Sequence, residues 1–279
     1  LARLPPLAAE VRVWPVPFAD GIPPLLALRG RRVAMLVSGD PFWFGAGSVL
    51  ARHLPPEEWR ALPSPSAFGL AAARLGWALE TTLCLGLHAA PLQRLRPHLA
   101  PGVRALVLLR DGAAPAALAR YLTEQGFGET EMTVCEALGG PRERIRATTA
   151  AGFALEGVAH PVAVAIRVAG SGASLGRASG RADHWFDHDG QITKRPVRAL
   201  ALSALAPRAG QHLWDIGAGS GSVAIEWLLS HPSCTATGFE SDPARAARAR
   251  ANAARLGVEL TVVEARAPDG LDGQRPPDA

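Results

Sequence analysis

The run Trp214-Asp215-Ile216-Gly217-Ala218-Gly219-Ser220-Gly221 limits what this chain can fold into more than any other stretch. It follows a short apolar run, 212–216, and precedes a helical pattern over 222–229. A strand that ends in a glycine turn and feeds a helix N-terminus offers free backbone N–H groups to a bound anion or nucleotide. Any Cβ at those glycines would block close approach of a ligand to the backbone. Two details separate the loop from a dinucleotide fingerprint. Asp215 stands two residues before the first glycine, and Ser222 falls where the last glycine of a GxGxxG pattern belongs.

A second apolar run, 235–239, ends in Glu240, about 20 residues beyond the glycines, where a carboxylate can accept both hydroxyls of a ribose. A helix opening on Pro243 and a third strand at 259–263 follow. In this order of elements the segment resembles the class I S-adenosylmethionine (SAM) methyltransferases, whose first motif is an acid followed by Gly-x-Gly-x-Gly. The resemblance implies SAM as cofactor, held by Asp215, Gly217, Ala218, Gly219, Ser220 and Gly221, with the ribose on Glu240 and the adenine near Ala265 and Arg266. The family commonly has an acid where Arg266 stands.

A chain of 279 residues suggests two domains. Nearly half of it is apolar, yet no apolar run is long enough for a membrane span, and no membrane partner is expected. The net charge of +4 is carried by arginine, Lys194 being the only lysine. No basic block with interleaved aromatics accompanies it, so a nucleic-acid partner is not expected either. Cys84, Cys135 and Cys234 are scattered and odd in number, and none has zinc spacing. Reduced thiols and a cytoplasmic location follow.

Upstream, runs at 33–37, 60–62, 82–87, 103–109, 131–137 and 162–168 read as strands. Helical patterns at 48–53, 67–75 and 115–125 alternate with them, and 91–98 continues the series. A possible edge strand lies at 11–14. This rhythm predicts an α/β domain with a mainly parallel sheet. The glycine- and serine-rich stretch 169–182 reads as a flexible linker. The expected division is a first domain over 1–168, the linker, and a second domain over 183–279. With three strands after residue 183, the second domain reads as the N-terminal half of a doubly wound sheet.

The first domain carries a resemblance of its own. Ser38-Gly39-Asp40-Pro41, with Phe42, Gly45 and Gly47, is similar to the signature of the tetrapyrrole (corrin-ring) methylases, and the loops at 64–68 and 111–112 are similar to later loops of that family. This implies a second SAM site near Gly39, Asp40, Pro41 and Ser66. The family's opening Gly-rich strand has no counterpart here, so that site is expected to be empty or misshapen.

A corrin-ring methylase joined to a class I methyltransferase resembles the bifunctional enzymes of cobalamin biosynthesis. The resemblance implies SAM-dependent methylation of a precorrin at C5 and C15, with decarboxylation of the C12 acetate side chain. It also makes Thr193, in the entry to the second domain, a candidate SAM contact. His184, His188, Lys194 and Arg195 are candidates to face the substrate's carboxylates. The same two histidines at i, i+4 invite a metal, but the glycine-rich lead-in and polar run argue against the helix that would pair them, so no metal is expected and a solvated hinge is. No Ser-His-Asp or Cys-His grouping is present, and no catalytic residue is assigned. A homo-oligomeric enzyme is expected. An RNA or DNA methyltransferase and a non-catalytic SAM-binding protein remain as alternatives.

Overall fold

The computed structural model describes residues 8–279. The chain divides into two compact units, Leu1–Ser66 and Ala67–Ala279. In the first, a 3-10 turn at Phe18–Gly21 runs into α1 (Ile22–Leu26), and α2 (Ala46–Leu50) is followed by a 3-10 turn at Pro56–Glu58. The strands expected at 11–14, 33–37 and 60–62 do not form. A strand exists only where a neighbour takes up its backbone hydrogen bonds. Among the described residues none does here, and Val33, Leu36 and Val37 stand exposed.

The second unit starts with α3 (Ala67–Leu75), β1 (Leu83–Gly86), a 3-10 helix at Leu92–His98 and β2 (Arg104–Leu109). It continues with α4 (Ala114–Glu124), β3 (Glu131–Glu136), β4 (Arg144–Thr149) and β5 (Val162–Arg167). These strands form one sheet in the order β1-β2-β5-β3-β4. The sheet is mixed rather than mainly parallel. Only β1 and β2 run parallel, because β5 inserts between β2 and β3 antiparallel to both, and β4 folds back on β3. β4 carries no strand signal of its own, because its Arg-Ile-Arg-Ala-Thr-Thr run is a mostly exposed edge with no apolar block.

Side chains of a strand alternate between the two faces of its sheet, and β5 shows the consequence. Val162, Val164 and Ile166 pack with Leu118 and Leu122 of α4, while Ala163 and Ala165 pack with Phe68, Ala71 and Ala72 of α3. Small residues on one face let α3 lie close, and branched ones fill the layer under α4.

The remaining elements are α5 (Arg195–Leu205), β6 (His212–Ile216), α6 (Ser222–Ser230), β7 (Thr235–Phe239), α7 (Pro243–Leu256) and β8 (Thr261–Val263). β6, β7 and β8 form a parallel sheet in that order, the one a βαβαβ chain makes. α7 has sharp ends: Asp242 accepts the N–H groups of Ala244 and Arg245, Pro243 opens the first turn, and Gly257 closes the helix at φ 78°. On the free edge of β6, Asp278 and Ala279 donate to His212 O, and Trp214 N donates to Ala279 O at 3.0 Å.

The stretch 169–182 has no helix or strand, but it is bound down rather than a free tether. Gly172 N donates to Gly126 O at 2.9 Å, Arg96 Nη2 to Ala173 O at 2.7 Å, and Leu175 is buried with Phe186, Ile225 and Leu256. Its glycines serve close approach. A Cβ on Gly172 would lie 2.3 Å from Gln125 O, and one on Gly180 would lie 2.7 Å from the Ala199 Cβ. Both sheets therefore share the unit Ala67–Ala279, with Arg96 stacked 4.9 Å from the Trp185 ring and Arg94 paired to Glu259 at 2.5 Å.

Candidate cofactor site

The glycine loop lies between the end of β6 and the start of α6. Gly217, Gly219 and Gly221 adopt φ of 78°, 56° and 74°, the left-handed region that suits glycine. They do different work. A Cβ on Gly217 would meet nothing within 4 Å, and one on Gly219 only Gly217 O at 3.9 Å. A Cβ on Gly221 would press on Ala249 at 3.1 Å and Leu260 at 3.2 Å. The first two glycines thus border open space, and the third lets α6 start against α7.

Phe239 O accepts from both Gly217 N and Ala218 N, which pins the loop to β7. Ala218 and Ser220 are buried. Glu240 follows β7 and is also buried. One of its oxygens accepts Gly219 N and the other accepts Asp242 N, each at 2.9 Å. An ionised carboxylate keeps further lone pairs after two such bonds. Among the described residues, Ser220 N–H has no acceptor within the chain.

Asp215 reaches the other way. Its Oδ2 accepts Ala224 N at 3.1 Å, tying the strand end to the first turn of α6. Burial pushes its carboxyl up from the ordinary value and the charge of Glu240 adds to this, while the Ala224 N–H works against both. Ala265, half-buried, and Arg266, exposed, follow β8 in a turn where Gly270 N donates to Arg266 O at 3.2 Å.

The segment 183–193 is an ordered arm, not a solvated hinge. Its 3-10 turn ends at Trp185, Phe186 lies under the Arg198 guanidinium at 4.8 Å, and Asp189 pairs with Arg245 at 2.8 Å and Arg248 at 3.2 Å. Asp189 is held at about 2, first by its Arg245 hydrogen bond and then by Gln191 N–H and Arg248. His184 is exposed beside Trp185, and His188 Nδ1 accepts Gly190 N at 3.0 Å. No helix carries the two histidines on one face, and the described residues hold no group of three metal-ligating side chains. Thr193, Lys194 and Arg195 are exposed at the start of α5, where Thr193 O accepts from Arg198 Nη1.

In the first unit, Asp40 Oδ1 accepts Phe42 N at 2.7 Å in a tight turn that Gly39 enters at φ 69°. Gly45 and Gly47 are needed because the chain returns over Asp40 and Pro41: a Cβ would come within 2.4 Å of Asp40 O or 2.7 Å of Pro41 O respectively. Ser66 is buried at the end of the same unit. In the second unit, Asp111 caps α4 through Ala113 N and Ala114 N.

Three buried polar residues near the loop are absent from the motif reading: Arg198, Glu226 and Asn252. Asn252 was legible. Ala246, Ala249, Asn252, Ala253 and Leu256 make up the buried face of α7, and it is the one polar residue on it.

The chain matches two family models: Tetrapyrrole (Corrin/Porphyrin) Methylases over residues 24–154, and Precorrin methyltransferase domain over residues 184–279. A Sinorhizobium protein named precorrin-6Y C(5,15)-methyltransferase [decarboxylating] is 50% identical over 277 residues, 98% of this chain and 67% of that protein. A Salmonella typhimurium cobalt-precorrin-6B C(15)-methyltransferase (decarboxylating) is 53% identical over 53 residues, 19% of this chain and 28% of its own. From the same organism, a cobalt-precorrin-7 C(5)-methyltransferase is 28% identical over 124 residues, 43% of this chain and 59% of its own. With a glycine loop and acid of the class I type in one half and a Gly-Asp-Pro turn in the other, the chain belongs to the precorrin-6Y C(5,15)-methyltransferase (decarboxylating) family.

Proposed function

We propose that Gly217, Ala218, Gly219, Ser220 and Gly221 cradle SAM, that Glu240 accepts the ribose hydroxyls, and that Ala265 and Arg266 border the adenine. As a member of its family the chain is a SAM-dependent C-methyltransferase of cobalamin biosynthesis that methylates a precorrin at C5 and C15 and removes the C12 acetate carboxyl as CO2. The observation that carries the site reading is the open space over Gly217 and Gly219 beside a buried carboxylate with lone pairs to spare. Those features fit a nucleoside with a charged tail.

When bound, SAM supplies an electrophilic methyl group on a positively charged sulfur. The protein has to orient it and keep water out, so proximity and alignment carry the catalysis. The loop does this with backbone already held by Phe239 O, Glu240 and Asn252, which leaves little reorganisation for binding. Thr193 closes the site from the arm, and Lys194, Arg195, His184 and His188 form a basic rim suited to a ring bearing many carboxylates.

The same reading places methylation at C15 and CO2 loss in the module after residue 183, and methylation at C5 in the module before 168, with SAM near Gly39, Asp40, Pro41 and Ser66. Each module has its own glycine turn, and one turn holds one SAM. The protein acts as a cytoplasmic homo-oligomer without nucleic acid. No helix among the described residues is long and apolar enough to cross a membrane.

The test is calorimetric titration of SAM into the parent and Glu240→Ala proteins, then incubation with SAM and the precorrin substrate read by mass. Glu240→Ala should weaken SAM binding by about 1.5–3 kcal/mol, the worth of a charge-assisted bond. At SAM concentrations below the variant's dissociation constant, CO2 loss and the gain of the C15 methyl should fall together. Unchanged affinity removes Glu240 from the site. CO2 loss without methyl gain, or methyl gain without CO2 loss, in the parent would end the assignment of both to the module after residue 183.

A further inference from the structure

Asn252 is 1% exposed on the inner face of α7, and every hydrogen-bonding position of its amide is filled. Nδ2 donates to Ser220 O and to Asp187 O, and Oδ1 accepts Asp187 N and Arg255 Nη2, all four at 2.9 Å. The network fixes the orientation of the amide. A flip would set its NH2 against two donors and its oxygen against two carbonyls.

The bond to Ser220 O reaches the glycine loop from behind. A trans peptide is a rigid plane whose C=O and N–H point in opposite directions. Ser220 O and Gly221 N belong to one such plane. Asn252 holds one end, and the other end donates to Ala218 O at 2.7 Å, closing the tight turn. The same amide grips Asp187 through both its N–H and its C=O, fixing the arm that leads to Thr193. One side chain thus sets both the loop and the arm.

We propose that Asn252 is a positioning residue for SAM, holding the Ser220–Gly221 peptide in its binding orientation without touching the cofactor; this rests on the reading that the loop binds SAM. Its two donor protons are the working part. Without them Ser220 O is a buried carbonyl with no partner, and the turn is free to rotate.

The probe is S-adenosylhomocysteine, titrated by calorimetry into the whole chain. Asn252→Ala should weaken binding about tenfold, as should Asn252→Asp, which keeps the two acceptor bonds and loses both donors. Arg255→Ala removes one acceptor-side bond and the Trp185 O contact but leaves Ser220 O held. It should stay within about twofold of the parent. Parent-like affinity in Asn252→Ala, or an equal loss in Arg255→Ala, overturns the role of Asn252. Failure of the parent itself to bind would instead remove the SAM reading of the loop. If the Asn252 variants do not fold, amide hydrogen exchange on the parent decides. Binding should slow exchange at Asp187 as well as over 217–223, and protection confined to the loop would overturn the proposal.

Discussion

Arg198 Nε donates to Glu226 Oε1 at 2.7 Å, and neither side chain is exposed to solvent. Around this pair, Glu226 also accepts Gly180 N and Arg181 N, while Arg198 donates to Asp183, Arg181 O and Thr193 O. A buried carboxylate and guanidinium thus join α5, α6 and the stretch before residue 183. Breaking such a pair from one side leaves an uncompensated buried charge, which costs about 3–5 kcal/mol. Glu226→Gln should lower unfolding stability by that amount in a denaturant titration. A midpoint within error of the parent would show that the pair holds nothing together.

The glycines of 169–182 can be told apart by substitution. Gly180 has φ 77°, and a Cβ there would press on Ala199, whereas Gly176 has open space and no such conformation. Gly180→Ala should destabilise by about 1–3 kcal/mol, while Gly176→Ala should be neutral or stabilising by a few tenths. Two neutral substitutions, read by thermal unfolding, would restore the picture of a loose linker.

Within the cofactor loop the same logic separates binding from packing. Gly217→Ala carries the strain of its positive φ, about 1 kcal/mol, and also puts a methyl into the open space where a ligand would lie, so its loss of SAM binding energy should exceed its loss of stability. Gly221→Ala crowds Ala249 and Leu260 and should lower the melting temperature first, by an amount matching about 1–3 kcal/mol. Equal effects of both variants on both readouts would sink this distinction.

Acid should loosen the arm at 183–193. Asp189 titrates at about 2 in the folded protein, below the unfolded value of about 3.9, so its contribution is complete above that value. It is lost as pH falls from about 4 through about 2. Asp189→Asn should flatten the stability profile in that window and leave it parallel to the parent above pH 5. A profile unchanged by the substitution would mean that the Arg245 contact contributes nothing.

Much of this protein is local and therefore legible in its sequence. The glycine loop, Glu240, the Pro243 helix start and the Gly-Asp-Pro turn are short patterns whose chemistry depends on neighbours along the chain. The apolar runs of β2, β3 and β5 are likewise readable, because a strand buried on both faces has few polar interruptions. What failed was what pairing decides. Val33 and Leu36 look like strand residues but have no ladder to join, and β4 looks polar but has β3 to pair with. Strand direction in the first sheet was fixed by β5 returning between β2 and β3, which no local pattern announces. The glycine- and serine-rich stretch read as loose because composition records freedom, whereas the folded chain uses its glycines where Gln125 O and Ala199 come too close for a side chain. Arg198 and Glu226 are scattered in sequence and meet only when α5 and α6 pack, and Asn252 reaches Ser220 O only when α7 packs behind the loop, because a buried charge or amide is satisfied by partners that tertiary structure alone brings within reach.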